Sequence, residues 1–248
     1  MNGIVSSFCI FAFKTYYMEL FFDPLFTGEG MLCESESKHC INVLRHKLGD
    51  EITIANGKGD YFTGRIISAH PKRCEIENIS TQTHSESAYK LHLAVAPTKS
   101  IDRFEWLIEK AMELGISEIT PLLCDHSERK KIRTDRIERI VIAAMKQSLK
   151  AYLPIINELT PFDQFIKTQQ TENGFIAHCY DSKKTPLKNA YKKGTDSLLC
   201  IGPEGDFSES EVEKASQLGL IPVSLGSSRL RTETAGVIAC HTIHLINE

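Results

Sequence analysis

The chain has 248 residues, of which 42% are hydrophobic and 25% charged, and its formal net charge is −3. These fractions are ordinary for a soluble globular protein, and the length allows one large domain or two smaller ones. Global charge, taken alone, argues against a nucleic-acid-binding protein.

The N-terminal segment is not expected to be a secretion signal. Its apolar run from Phe8 to Phe13 is too short to span a bilayer, follows no basic residue and precedes no small-residue cleavage site. The eight cysteines form no C-x-x-C pair and no framework spacing. We therefore expect a reducing, cytoplasmic compartment and no membrane partner.

The region that follows, as far as about Ile79, is rich in predicted strands. Asn56-Gly57 predicts a tight hairpin turn between a strand at Ile52–Ile54 and another that starts near Tyr61. The other elements predicted here are a strand at Cys74–Ile79 and a helix around Ser37–His46. This pattern favours a small barrel.

From Leu91 onward, predicted strands and helices alternate. Ile101, Phe104 and Ile108 recur at helical spacing, and Gly115 is placed to end that helix. The other predicted elements are strands at Leu91–Pro97, Ile116–Leu123, Ile155–Ile156 and Phe175–Cys179 and a long helix that Thr134 caps and that runs to Ala151. Alternating strands and helices predict a mostly parallel sheet covered on both faces.

Two strands near the C terminus end in glycine-rich, charged loops. The apolar run Leu198–Ile201 stops at Gly202-Pro203-Glu204-Gly205, after which Ser208 and Glu211 form the pattern of a capping box. Gly219 is placed to cap the resulting helix at its C-terminal end.

The second of these strands, Ile221–Leu225, ends in Gly226, and the loop after it carries Arg229, Arg231 and Glu233. In open α/β sheets, ligands bind beyond the C-terminal ends of the strands. The two loops therefore predict a ligand site.

Three other motifs carry weaker signals. Gly57-Lys58-Gly59 is not a dinucleotide-binding fingerprint, because a predicted strand follows it instead of a helix. His241 and His244 could share a metal beside Cys240, but no third ligand is evident, so we predict no metal site. Cys124-Asp125-His126 is a weak candidate for a nucleophile motif.

The C-terminal loops resemble those of the RsmE family, uridine-N3 methyltransferases of small-subunit ribosomal RNA that belong to the SPOUT superfamily. The matching motifs are Gly202–Gly205, Leu225-Gly226 and Leu230–Ala235, and the similarity extends over Met18–Glu248. The resemblance implies an α/β fold with a SPOUT-type parallel sheet and a C-terminal trefoil knot, preceded by a small PUA-like RNA-binding β-barrel. The implied boundaries are 1–17 for an N-terminal extension, 18–80 for the barrel, 81–90 for a linker and 91–248 for the methyltransferase domain.

The resemblance also implies S-adenosylmethionine as the cofactor, held by backbone groups of three loops. The cofactor-binding residues carried over are Ala177, His178, Cys179, Ile201, Gly202, Pro203, Glu204, Gly205, Leu225, Gly226, Leu230, Arg231 and Thr232. Glu204 either accepts a hydrogen bond from the cofactor or only fixes its turn. Asp206 stands where a second glycine is common, and because aspartate tolerates a positive φ we expect the turn to be preserved.

Methylation of uracil at N3 requires loss of the N3 proton and stabilisation of the anion that develops. Arg231 is the candidate for stabilising this anion, and Glu233 is the candidate for orienting Arg231 or relaying the proton. The alternative is that Arg231 and Glu233 form an ion pair that only rigidifies the loop.

Basic residues cluster between Arg129 and Lys150 and again between Lys183 and Lys193. Such clusters are by default solvated surfaces, but beside an RNA enzyme they are candidate phosphate contacts. The candidate RNA-binding residues are Arg45, Arg129, Lys130, Lys131, Arg133 and Gln147.

The resemblance implies a homodimer and a target uridine near the 3′ end of 16S rRNA, in the decoding region, and we expect the assembled small ribosomal subunit to be the substrate. The alternatives are a non-catalytic module for RNA binding or ribosome assembly, and a small-molecule α/β enzyme.

Overall fold

The computed structural model describes residues 19–169 and 173–248. The predicted extension, residues 1–17, lies outside the described residues. The fold consists of a five-stranded sheet near the N terminus and an eight-stranded sheet that follows it.

The five-stranded sheet contains the predicted hairpin. Its strands are β1 (Leu20–Phe22), β2 (Gly30–Met31), β3 (Glu51–Ala55), β4 (Asp60–Ser68) and β5 (Glu75–Thr83), in the order β1-β3-β4-β5-β2. β3 and β4 pair antiparallel across the Asn56-Gly57 turn, where Gly57 has a φ of +71°, so the predicted hairpin is confirmed. Phe21, Ile54 and Ile66 are buried in the core of this sheet.

The helix predicted at Ser37–His46 lies earlier in the chain. It consists of α1 (Glu34–Lys38), continued by one π-helical turn, His39–Val43. The two glutamates of the first turn suit the positive end of a helix. The helical path stops before Arg45, which has a φ of +63°.

β5 is longer than predicted. Ser80–Thr83 pair with Asp60–Thr63 of β4, and the Thr83 hydroxyl donates a hydrogen bond to the Asp60 carboxylate at 2.7 Å. The strand therefore covers the start of the segment predicted as a linker, 81–90, because β4 offers it a partner over this whole length.

The eight-stranded sheet is parallel, as predicted. Its strands are β6 (Leu91–Val95), β7 (Glu118–Leu123), β8 (Ile155–Ile156), β9 (Thr160–Pro161), β10 (Gly174–Ala177), β11 (Thr185–Pro186), β12 (Ser197–Ile201) and β13 (Ile221–Ser224). The order is β11-β13-β10-β12-β6-β7-β8, and β9 also pairs with β7. The helices are α2 (Ile101–Glu113), α3 (Thr134–Gln147), α4 (Phe162–Thr168), α5 (Leu187–Ala190), α6 (Glu209–Gln217) and α7 (Thr232–Asn247).

Helices cover both faces of this sheet. Alternate residues of β6 point to opposite faces: Leu91 and Leu93 join a core with α2, α3 and α7, whereas Ala94 joins a second core with α4 and α6. The predicted layers are therefore confirmed. The trefoil knot stays a prediction.

The five-stranded sheet packs against the second sheet's helices and shares a core with them. Leu20 and Tyr61 belong to the same buried cluster as residues of β6, α2 and α3. The contact also explains why α3 ends at Gln147, before the predicted Ala151. Beyond the helix, the backbone oxygen of Ala151 accepts a hydrogen bond from the N–H of Gly59 at 3.0 Å, which pulls the chain toward the β3–β4 turn.

Two further details complete the fold. Thr134, predicted to cap α3, is its first helical residue, and its hydroxyl donates instead to the Glu158 carboxylate at 2.7 Å. Over residues 19–169 and 173–248, no helix is both long and apolar enough to cross a membrane.

Candidate active site

Four neighbouring parallel strands, β13, β10, β12 and β6, end at one edge of the eight-stranded sheet. The loops after β10, β12 and β13 line a cleft of about 900 Å³. Every residue that the resemblance assigned to cofactor binding lines this cleft, from Ala177 to Thr232. Tyr180, Lys184 and Asp206 line it as well. Of these three, Asp206 was predicted only as a turn residue, Lys184 was predicted only as part of the basic cluster between Lys183 and Lys193, and Tyr180 was not predicted.

The turn after β12 depends on its two glycines. A Cβ atom on Gly202 would lie 3.0 Å from the backbone nitrogen of Phe207, and one on Gly205 would lie 2.9 Å from Cβ of His126. Any other side chain would therefore displace a neighbour. Asp206 has a φ of +66°, which confirms the expected turn.

The Asp206 carboxylate ties two walls of the cleft together. One oxygen accepts a hydrogen bond from the backbone N–H of Cys179 at 2.7 Å, and the other accepts from that of Phe207 at 2.8 Å. The loops after β10 and β12 are thus linked through one side chain.

The Cys124-Asp125-His126 motif supports this turn from outside the cleft. His126 Nδ1 lies 3.0 Å from the carbonyl oxygen of Gly205 and 3.1 Å from that of Asp206. Cys124 is buried, and its burial raises the pKa of its thiol. A thiol held in its neutral form is a poor nucleophile, so the motif is structural.

Glu204 fixes the neighbouring loop, which is neither of the two roles considered for it, a bond to the cofactor or support of its own turn. Its carboxylate accepts a hydrogen bond from the backbone N–H of Lys99 at 2.9 Å. Arg129 holds the same loop, because its guanidinium donates to the carbonyl oxygens of Thr98 at 3.0 Å and Lys99 at 2.6 Å. Arg129, predicted to contact RNA, is therefore committed to the loop after β6.

His178 is buried in the wall of the cleft, and neither of its ring nitrogens has a hydrogen-bond partner in the described parts of the chain. Burial, and after it the charge of Lys184, lowers the pKa of the imidazole. Lys184 itself donates to the carbonyl oxygens of His178 at 3.0 Å and Tyr180 at 2.6 Å. Unpaired polar atoms are costly when buried, so a ligand in the cleft that bonds to His178 would be favoured.

Arg231 and Glu233 do not form the ion pair considered as an alternative role. The Arg231 side chain is exposed and has no partner among the described residues. Glu233 is buried at the start of α7, with one carboxylate oxygen 3.8 Å from Nε of Arg103 and the other without a partner in the described ranges. Arg103 was not predicted for the site, because it precedes Glu233 by a long stretch of chain and belongs to α2.

The remaining RNA candidates are spread over the surface. Arg45, Lys130, Lys131 and Gln147 are exposed, and within the described ranges their side chains make no hydrogen bond or ion pair. Arg133 is exposed too, but its guanidinium pairs with Asp135 through bonds of 2.7 and 3.2 Å. The first four are therefore the free candidates for contact with a phosphate.

One histidine of α7, His244, is engaged in contacts within the chain. His244 lies 3.4 Å from the Tyr89 hydroxyl and 3.0 Å from the Glu248 carboxylate, and Cys240 is fully buried. In the part of the chain that the structure describes, no group of three or more His, Cys, Asp and Glu side chains is arranged to hold a metal ion.

The fold and the cleft define an α/β enzyme that binds a small ligand at the carboxyl edge of a parallel sheet, next to a second, β-rich domain. A family model described as an RNA methyltransferase domain matches residues 85–244, and one described as an RNA methyltransferase PUA domain matches residues 32–77. The chain belongs to the RNA methyltransferase family, and within it to the ribosomal RNA small subunit methyltransferase E group, which confirms the resemblance.

Individual relatives agree with this assignment. Ribosomal RNA small subunit methyltransferase E of Synechocystis sp. is 30% identical over 213 residues, which cover 83% of this chain and 69% of the relative. A structure named as a probable rRNA-methyltransferase from Porphyromonas gingivalis is 39% identical, with a TM-score of 0.86, over 92% of this chain and 98% of that one. Ribosomal RNA small subunit methyltransferase E from Neisseria gonorrhoeae, solved bound to S-adenosyl methionine, is 28% identical, with a TM-score of 0.81, over 93% and 98% of the two chains.

Proposed function

We propose that this protein is an S-adenosylmethionine-dependent rRNA methyltransferase that methylates N3 of one uridine in 16S rRNA. The target lies in the decoding region near the 3′ end, and the assembled small subunit is the substrate. The observation that carries the proposal is the cleft at the carboxyl edge of the sheet, lined by every residue carried over for the cofactor. The bound S-adenosyl methionine of the Neisseria relative supports the same assignment.

The cleft fits such a cofactor. Its volume of about 900 Å³ is within the range of roughly 300–1,000 Å³ that is usual for small-molecule sites. His178 has two buried ring nitrogens without partners among the described residues, and both are available to a ligand that has hydrogen-bonding groups of its own. When bound, S-adenosylmethionine supplies the activated methyl group, and the protein supplies binding, orientation and electrostatics.

Arg231 and Glu233 serve the substrate side of the reaction. The guanidinium of Arg231 at the cleft is exposed and has no partner in the described parts of the chain. It stabilises the negative charge that develops on uracil O2 or O4 as the N3 proton leaves. Glu233 contacts Arg103 and not Arg231, so relaying the proton is better supported for Glu233 than orienting Arg231. Its oxygen without a partner among the described residues is the atom that takes up the proton.

A homodimer is part of the proposal. Trp106 on α2 is 44% exposed and Leu245 on α7 is 58% exposed, although both are large apolar side chains. The helices that carry them pack together on one face of the sheet. Light scattering of the purified protein tests the assembly, and a monomer would contradict it.

Methyl transfer to ribosomal RNA tests the activity. Small subunits from a strain that lacks the endogenous enzyme are incubated with labelled S-adenosylmethionine, and the RNA is digested for nucleoside mass spectrometry. We expect a single 3-methyluridine in the RNA of the small subunits. Naked 16S rRNA is the comparison substrate and should be methylated less. Cofactor binding without transfer would contradict the assigned substrate. Absence of cofactor binding would favour the non-catalytic RNA-binding module instead.

A further inference from the structure

Asp206 places a fixed negative charge in the wall of the cleft. Both carboxylate oxygens accept backbone hydrogen bonds, from Cys179 at 2.7 Å and Phe207 at 2.8 Å. The residue's carbonyl oxygen faces His126 Nδ1 at 3.1 Å. The side chain is only partly exposed. With both oxygens held in this way, the carboxylate is fixed in the wall of the cleft.

The other charged side chains of the cleft are less well placed to act on a bound molecule. Glu204, Arg229 and Arg231 are exposed, so solvent screens them more strongly. Lys184 is held by two carbonyl oxygens, those of His178 and Tyr180. Asp206 is therefore the carboxylate of the cleft that is both partly buried and fixed.

The charge of Asp206 is felt by its neighbours. Burial, and after it the Asp206 carboxylate, raises the pKa of the Cys179 thiol and of the Tyr180 phenol. Both shifts have the sign expected of a negative potential in this wall, since a negative charge disfavours a second one nearby.

We propose that Asp206 makes the cleft discriminate between the cofactor and its product, in favour of the cofactor. This inference rests on the proposed function. S-adenosylmethionine carries a positive sulfonium, whereas the S-adenosylhomocysteine left after methyl transfer is a neutral thioether. A fixed carboxylate attracts the former more than the latter, so the spent product leaves more readily and inhibits less. One partly screened charge pair accounts for about a threefold to tenfold difference in the affinity ratio.

Asp206→Asn tests this directly. Asparagine tolerates a positive φ, and its amide oxygen still accepts one of the two hydrogen bonds. The amide nitrogen is a donor, so the other bond is lost together with the charge. Isothermal titration calorimetry gives the Kd values for S-adenosylmethionine and S-adenosylhomocysteine in each protein. We expect the ratio of the product Kd to the cofactor Kd to fall about threefold to tenfold in the variant.

Two further variants make the result decisive. Asp206→Gly adopts a positive φ without strain and must lower the ratio as well. It replaces Asp206→Asn in the test if the asparagine variant folds poorly. Glu213→Gln removes an equal charge from an exposed position of α6 outside the cleft and must leave the ratio unchanged. If Asp206 only shapes the turn, both affinities weaken together and the ratio stays constant, which overturns the inference. If the unmodified protein binds neither molecule, the proposed function fails instead.

Discussion

At the residue scale, Arg231 has a side chain that the folded protein does not need for its own contacts. Its guanidinium is exposed and unpaired in the described ranges, and its backbone oxygen alone contributes to α7, by accepting from Ala235 at 2.8 Å. Arg231→Ala should therefore lower kcat for methyl transfer by about 10²- to 10³-fold, because a donor to the developing anion is lost. The cofactor Kd and the melting temperature should stay unchanged.

Arg231→Lys is the matched variant, since it keeps the charge but not the planar fork of donors. It should recover part of the rate. A lower melting temperature or a weaker cofactor Kd in Arg231→Ala would instead assign Arg231 a structural role in its loop.

Because of His178, we expect the free energy of unfolding to decrease at acid pH. Its pKa in the folded chain is lowered, first by burial and then by Lys184, from the ordinary value of about 6.5. Below pH about 6.5 the unfolded chain therefore binds a proton that the folded chain does not bind, so stability falls as the pH falls through the folded pKa. His178→Gln does not titrate and should lose less free energy of unfolding than the unmodified protein between pH about 7.5 and about 5.5. Parallel urea denaturation curves measure this, and equal losses would contradict it.

The residues of the cleft show what the sequence could predict and what it could not. The carried-over residues lie on three loops of known order, and parallel strands bring such loops to one edge, so their meeting followed from the sheet alone. The hydrogen bond from Cys179 to Asp206 and the contact of Arg103 with Glu233 depend instead on how elements far apart in the sequence are positioned relative to one another. No local sequence pattern encodes that position, so neither contact was predicted.

At the scale of the element, the start of α6 shows a local signal that also serves a distant contact. The predicted capping box is formed: the Ser208 hydroxyl accepts from the backbone N–H of Glu211 at 3.2 Å, and the Glu211 carboxylate accepts from that of Ser208 at 2.8 Å. The same buried carboxylate accepts from the backbone N–H of Asp125 at 2.9 Å. The cap thus also joins α6 to the loop after β7.

Glu211→Ala should consequently lower the free energy of unfolding by about 2–4 kcal/mol, because two backbone N–H groups lose a charged acceptor in a buried place. Urea denaturation measures the loss. Glu213→Ala, on the exposed side of the same helix, should change it by no more than about 0.5 kcal/mol. Equal effects of the two substitutions would show that Glu211 acts only through helix propensity.

The end of α3 illustrates the opposite case at this scale. The apolar spacing continues toward Ala151, so the sequence favours a longer helix. In the structure, however, Leu149 has a φ of +53°, and the backbone of Tyr152 pairs with that of Lys58 in an isolated antiparallel β-bridge. The Tyr152 hydroxyl also donates to the carbonyl oxygen of His84 at 2.9 Å. Contacts with the first sheet therefore outweigh the local helical preference, and a pattern confined to one segment could not reveal them.

At the scale of the whole molecule, one ion pair joins the first sheet's helix to the methyltransferase part. Nζ of Lys146 in α3 lies 2.7 and 3.0 Å from the two carboxylate oxygens of Glu36 in α1, and 5.7 Å from the ring centre of Phe21. The two side chains are only 19% and 13% exposed. Removing either one leaves the other largely desolvated without its partner.

Lys146→Met and Glu36→Gln should each lower the free energy of unfolding by about 1–3 kcal/mol, and the double variant should lose less than the sum of the two. Lys150→Met, close to the end of α3 and without an ion-pair partner in the described ranges, is the control and should cost no more than about 0.5 kcal/mol. We expect the pair to set the position of the PUA domain relative to the cleft, so both single variants should also raise KM for small subunits while the cofactor Kd stays unchanged. Additive losses in the urea denaturation cycle, or an unchanged KM, would mean that the shared apolar core alone holds the two parts in register.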